Sequence, residues 1–165
     1  MTFEKQKTKA MTHEDFMKEA IRLSVDNVKK GGGPFGAVIV KDGKIVGQGA
    51  NSVTIHNDPT AHAEVVAIRD AAKKLRTFDL SGCTIYTSCE PCPMCLGAIY
   101  WAHLSKMYYG NTKTDAAKVG FDDAFIYKEM ELPVDKRSIP AERLLGDEAY
   151  EAFKMWEENP DKIEY

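Results

Sequence analysis

An α/β layered fold is what this sequence predicts. Two observations carry the prediction. Short apolar runs bounded by turn residues alternate with longer segments whose apolar residues recur every three or four positions. Helical segments also fall between strand-like ones, the order that yields crossovers and parallel strand pairs in one sheet. With 165 residues, 44% of them hydrophobic, the chain is long enough for one domain with a substantial core.

Residues 1–10 are polar and predict a disordered leader, with Met11 a second candidate initiator and residues 11–165 the single domain. Thr12 can cap a helix running to about Lys30, with Phe16, Ala20, Ile21 and Val28 on its buried side. Gly31-Gly32-Gly33-Pro34 ends that helix, and without a following G-K-[ST] it is not a phosphate loop. Phe35–Val40 and Ile45–Ala50 read as strands flanking Asp42-Gly43, a strong hairpin turn signal. Gly47-Gln48-Gly49 fails as a dinucleotide fingerprint, because Ser52 stands where the third glycine belongs.

Asp58-Pro59 makes a turn, and Thr60 is the expected capping residue of the next helix. Ala61, Val65, Ile68, Ala72 and Leu75 form its apolar face. Cys83–Thr87 reads as a short buried strand, Cys92 opens a helix to about His103, and Lys106–Tyr109 is another strand. Further on, Thr114–Ala117 and Ala124–Met130 suggest short helices. Asp147–Glu158 is an amphipathic helix bearing Tyr150, Phe153, Met155 and Trp156, stopped by Asn159-Pro160.

Charge and composition exclude several classes. Net charge is −3 with no Lys/Arg-rich run, so bulk charge lends nothing to a nucleic-acid partner. The first ten residues hold no apolar signal-peptide core, and runs such as Phe35 to Val40 are far too short to span a bilayer. Three of the four cysteines cluster, a usage that suits a reducing cytoplasm better than a disulfide framework.

The chemistry concentrates in His62-Ala63-Glu64 and Pro91-Cys92-Pro93-Met94-Cys95. A catalytic zinc takes three protein ligands and keeps a fourth position open, and one imidazole with two thiolates supplies the three. That open position admits a water that the metal acidifies, and a carboxylate that is not a ligand must then carry protons, for which Glu64 is the candidate. A redox C-x-x-C has no use for His62 or Glu64. An iron–sulfur run from Cys89 would want a further cysteine at position 99, where Ile99 stands. A closed structural zinc site with Cys89 or His56 as fourth ligand is a further reading, but it leaves Glu64 without purpose. Residues two apart on a helix do not face each other. His62 and Glu64 therefore converge only if the reacting centre lies off the helix end.

These words resemble the zinc deaminases of the cytidine deaminase-like superfamily, through Asn51, Asp58-Pro59-Thr60-Ala61-His62-Ala63-Glu64 and Thr87-Ser88-Cys89-Glu90-Pro91-Cys92-Pro93-Met94-Cys95-Leu96-Gly97-Ala98. That stretch alone does not separate guanine deaminases from tRNA adenosine deaminases. Ile99-Tyr100-Trp101-Ala102, Thr114-Asp115-Ala116-Ala117, Gly120 through Glu129 and the terminal Glu164-Tyr165 make the chain most similar to the bacterial guanine deaminases. The resemblance implies a three-layer α/β/α fold around a central mixed five-stranded sheet. It implies one Zn2+ per chain on His62, Cys92 and Cys95, with Glu64 as proton shuttle. Ala63 (through its N–H), Asn51, Phe35, Trp101, Asp123 and Tyr165 would bind the purine, and Asp123 would also share proton transfer. The implied reaction is hydrolysis of guanine at C2 to xanthine and ammonia, in purine salvage and catabolism. The implied assembly is a homodimer, with about residues 147–165 exchanged between subunits. A tRNA adenosine deaminase would need a basic face, whereas Trp156 through Asp161 is acidic; a cytosine deaminase would use the same metal core.

Plainer readings stand beside these. By itself Asn51 reads as a turn residue, Asp123 as a helix cap, Phe35 and Trp101 as core, and Tyr165 as a frayed end. His13, His56 and His103 lack ligand spacing, and Cys89 reads as packing.

Overall fold

The computed structural model describes residues 9–165. Most of the expected leader, residues 1–8, lies outside the described residues. Two compact units divide the chain, one reaching to Asp122 and the other spanning Asp123–Tyr165.

The first unit opens with α1 (His13–Lys29), started by a capping box in which Thr12 and Asp15 satisfy each other's backbone N–H. Phe16, Ala20, Ser24 and Asn27 form its buried stripe. Ile21 and Val28, expected inside, are instead exposed. The stripe steps by four, four and three residues, and Ile21 and Val28 each sit one position past it, turned about 100° away.

The sheet has four strands, β1 (Gly36–Lys41), β2 (Lys44–Ala50), β3 (Thr84–Cys89) and β4 (Lys106–Asn111), in the order β2-β1-β3-β4. Strand β1 pairs antiparallel with both β2 and β3, while β3 and β4 are parallel. Asp42 (φ 50) and Gly43 (φ 73) close the β1–β2 hairpin with both central residues left-handed, as a two-residue primed turn requires. The helices α2 (Val53–His56) and α3 (Ala63–Leu75) carry the chain from β2 over β1 to β3, and α4 (Pro93–Trp101) is the crossover to β4.

No fifth strand exists among the described residues, so the sheet is mixed but not five-stranded. The reason is local. As β4 ends, Thr112 and Asp115 form a second capping box that starts α5 (Lys113–Lys118). Beyond α5 the chain forms helices and a proline-flanked turn rather than extended strand.

The layering is read from alternation along β1. Ala37 and Ile39 join Ile85, Ala63, Ala67, Ala71 and Ile99 in a core under α3 and α4. Val38 and Val40 join Tyr86, Phe16 and Ala20 in a second core under α1. The sheet therefore lies between α1 on one face and α3 with α4 on the other, giving three layers.

The second unit holds α6 (Ala124–Glu131), a 3-10 turn (Val134–Lys136) and α7 (Gly146–Glu158). The Arg137 guanidinium donates to the Glu129 and Leu132 carbonyls, and the Glu129 carboxylate accepts from the backbone and hydroxyl of Ser138. Tyr150 and Phe153 meet edge to face on α7, and Trp156 of α7 meets Tyr165, which lies beyond the helix, in the same way.

Candidate active site

Two helix N-termini assemble the chemistry. His62 is the N-cap residue of α3, extended at φ −69 and ψ 154, and its side chain makes no capping bond. The helix starts later than Thr60. That residue instead closes an Asx turn, its N–H and hydroxyl both donating to the Asp58 carboxylate. Cys92 is likewise the N-cap residue of α4, extended and without a side-chain cap bond. Pro93, with φ preset for the first helical position, launches the helix. Cys95 comes one turn further on.

The imidazole Nδ1 of His62 lies 3.5 Å from Sγ of Cys92 and 3.5 Å from Sγ of Cys95. A tetrahedral zinc with the usual Zn–N and Zn–S lengths separates its nitrogen and sulfur ligands by about 3.6 Å. The spacing is that of ligands around one ion. The three donor atoms lie within 4.8 Å of one another, and a His/Cys/Cys donor set suits zinc. Cys89 and His56 do not join this group. Cys89 donates through its thiol to the Thr112 carbonyl at 3.7 Å, and His56 ends α2. The fourth-ligand reading of a closed structural site is therefore not assembled among the described residues.

Electrostatics match the arrangement. The Cys95 thiol and the His62 imidazole hold Cys92 down to about 4, while Cys92 and burial push Cys95 up. Cys92, in turn, raises the pKa of His62. The partial positive charge of both helix N-termini favours thiolate at this point, and a bound metal would take both sulfurs as thiolates.

Glu64, the second residue of α3, is only 5% exposed. Burial raises its pKa, against the opposing pull of bonds from its own backbone, Cys95 and Thr87. His62 as N-cap and Glu64 in the first turn thus meet at the helix end rather than on one face, as their two-residue spacing demands.

The other expected residues fall into three groups. Ala63, fully buried, is the first residue of α3, where an N–H has no partner within the helix. Asn51 sits buried at the end of β2, its N–H donating to the Phe35 carbonyl and its Oδ1 accepting from the N–H of Val53. Ser52 N–H bonds the Ala61 carbonyl, which fastens this corner to the turn before His62. Phe35 is half-buried, its ring edge-on to Phe121 at 4.9 Å. Trp101 shares α4 with Cys95. It is the last residue of α4, 68% exposed, about 13 Å along the helix axis from Cys92 at 1.5 Å per residue. Asp123 and Tyr165 belong to the second unit, Asp123 at the N-cap of α6 without a side-chain cap bond.

Two residues to which the sequence reading gave no role shape this corner. Thr87 of β3, fully buried, donates to Glu64 Oε1 at 3.0 Å. Asn27 of α1 donates from Nδ2 to the carbonyls of both Gly33 and Asn51 at 2.7 Å, tying the glycine-rich loop to the end of β2. The signal for each was a polar residue on a buried face.

A three-layer fold with a His/Cys/Cys cluster beside a buried glutamate defines a zinc deaminase. The chain belongs to the family of cytidine and deoxycytidylate deaminases, whose zinc-binding region matches residues 10–111. Within it, the chain is 54% identical over 156 residues to guanine deaminase of Bacillus subtilis (strain 168), covering 94% of this chain and 100% of that one. The X-ray structure of the Bacillus subtilis guanine deaminase matches 94% of this chain and 99% of its own, with a TM-score of 0.91. Guanine deaminase from Nitrosomonas europaea matches with a TM-score of 0.67 and 29% identity, over 86% of this chain and 75% of its own. The tRNA-specific adenosine deaminase of Aquifex aeolicus (strain VF5) is 42% identical over 99 residues, 60% of this chain and 66% of that one.

Proposed function

We propose that this protein is a zinc-dependent guanine deaminase that hydrolyses guanine at C2, releasing xanthine and ammonia, in purine salvage and catabolism. The observation that carries the substrate is the extent of the likeness. It runs through the second unit to the end of the Bacillus subtilis guanine deaminase, whereas the tRNA-specific relative matches only part of the chain.

In this reading His62, Cys92 and Cys95 hold one zinc ion, which supplies the Lewis acidity that makes water a nucleophile near neutral pH. Glu64 would carry two protons in turn: the first from the attacking water to the ring nitrogen, the second from the hydroxyl added at C2 to the departing amino group as the C2 carbonyl forms. Burial suits the task, because it raises the carboxyl's pKa above the ordinary glutamate value and so makes the carboxylate a stronger base toward the water. The Ala63 N–H and the Asn51 amide bind the purine edge, and Phe35 walls the ring. Asp123 contacts the C2 amino group and shares proton transfer. Trp101 and Tyr165 complete the pocket.

The same reading makes the protein a cytoplasmic homodimer, a single deaminase domain whose segment of about 147–165 is exchanged between subunits. Uncovered apolar surface supports the pairing. Tyr100 and Trp101 are exposed on α4, and Phe125, Met130, Tyr150 and Phe153 are exposed in the second unit. The thiol cluster suits a reducing compartment. Among the described residues no helix is long and apolar enough to cross a membrane.

The test is ultraviolet-monitored turnover of guanine on metal-analysed protein, with adenine, cytosine and cytidine alongside. Guanine consumption that chelation abolishes is the expected result. Zinc-loaded protein that leaves guanine untouched would overturn the substrate and point next to a tRNA anticodon stem.

A further inference from the structure

We propose that Thr87 is a positioning residue, its hydroxyl holding the Glu64 carboxylate in the orientation that proton transfer requires. This rests on the deaminase reading for the role of Glu64, and on geometry for everything else.

Thr87 occupies a core position. In β3 it lies two residues after Ile85, so it faces the same α3-covered side of the sheet. Its register partners are Ala37 on β1 and Tyr109 on β4, which places it in the interior of the sheet rather than at an edge. A fully buried hydroxyl here costs free energy unless it is bonded. Two acceptors lie within reach of its single proton: Glu64 Oε1 at 3.0 Å and the carbonyl of Cys89 at 3.0 Å. The hydroxyl is thus fixed between the proton carrier and the strand end three residues before Cys92.

Glutamate needs such a partner. The torsion that rotates a glutamate carboxylate has a broad, shallow profile, so the backbone of α3 alone does not fix which oxygen faces the reacting centre. The Cys95 thiol also bonds this carboxylate. As a metal ligand Cys95 has no thiol proton to donate, which leaves the Glu64 backbone, itself part of α3, and the Thr87 hydroxyl on β3 as the groups bonded to the carboxylate, and Thr87 as the side-chain donor to Oε1. A proton carrier misplaced by about 1 Å can lose about 10²-fold in rate.

Valine distinguishes positioning from packing, because it keeps the shape of threonine and fits an apolar core at least as well. In zinc-loaded Thr87→Val, kcat for guanine is expected to fall about ten-fold or more, with KM and zinc content unchanged. Thr87→Ser, which keeps the hydroxyl, is expected to restore most of that loss. The crystal structure of zinc-loaded Thr87→Val should show the Glu64 carboxylate rotated from its place in the parent protein. A carboxylate in the same orientation in both, or wild-type kcat in Thr87→Val, overturns the proposal. A parent protein inactive on guanine overturns the substrate instead, and the carboxylate orientation then still decides for or against Thr87.

Discussion

A carboxylate that is 5% exposed, two residues from the imidazole of the His/Cys/Cys cluster, is costly to bury even when bonded to a strand hydroxyl, and such a buried acid beside a cluster of this kind points to proton transfer. Glu64→Ala should therefore keep one zinc per chain and lose about 10²- to 10⁴-fold in kcat. Turnover at the parent rate in zinc-loaded Glu64→Ala would remove Glu64 from the chemistry. Cys89 makes the complementary case. Its thiol donates to the Thr112 carbonyl and stands outside the His62, Cys92 and Cys95 group. Cys89→Ala should still bind one zinc per chain by metal analysis, and loss of the metal would redraw the ligand set. At this scale the grouping of His62, Cys92 and Cys95 beside Glu64 was legible, because two short motifs carry these residues and the chemistry of zinc accounts for their types. Thr87 was not, since its partner lies 23 positions away and only folding brings them together.

Helix α3 carries His62 and Glu64, and β2 holds it in place through close backbone contact. A Cβ added at Gly47 would fall 2.6 Å from the Ala71 side chain and 2.7 Å from the Ala67 carbonyl. At Gly49 it would meet the Ala63 carbonyl and the Ala67 N–H directly. Backbone cannot yield as a flexible side chain can. Gly49→Ala should cost about 1–3 kcal/mol by chemical denaturation. Because Ala63 adjoins both His62 and Glu64, zinc affinity should weaken as well; full stability with unchanged zinc binding would mean that β2 does not set the position of α3. Element types and order were legible from periodicity. The registers of Ile21 and Val28 were not, since α1 carries apolar residues on more than one face and only packing against β1 and β3 selects the buried stripe.

The whole molecule shows apolar surface that one chain leaves open, on α4 and on the helices of the second unit. Light scattering of purified protein is expected to give the mass of two chains, and a monomer at all concentrations would remove the paired assembly. Deleting Tyr165 should lower kcat/KM for guanine with little change in Tm, since the residue ends the chain and is exposed. Unchanged kinetics would remove Tyr165 from the pocket.

Local chemistry determined what the sequence could determine alone. Ligand spacing, helix starts at Cys92 and Thr12, the Asp42-Gly43 hairpin and the alternation of strand and helix all depend on residues a few positions apart. Tertiary structure decided the rest, because it depends on which distant residues share a face or a bond. It decided which segments pair in the sheet, four strands in the order β2-β1-β3-β4 among the described residues. It also joined Thr87 to Glu64 and Asn27 to Asn51, pairings for which no spacing along the chain provides a signal.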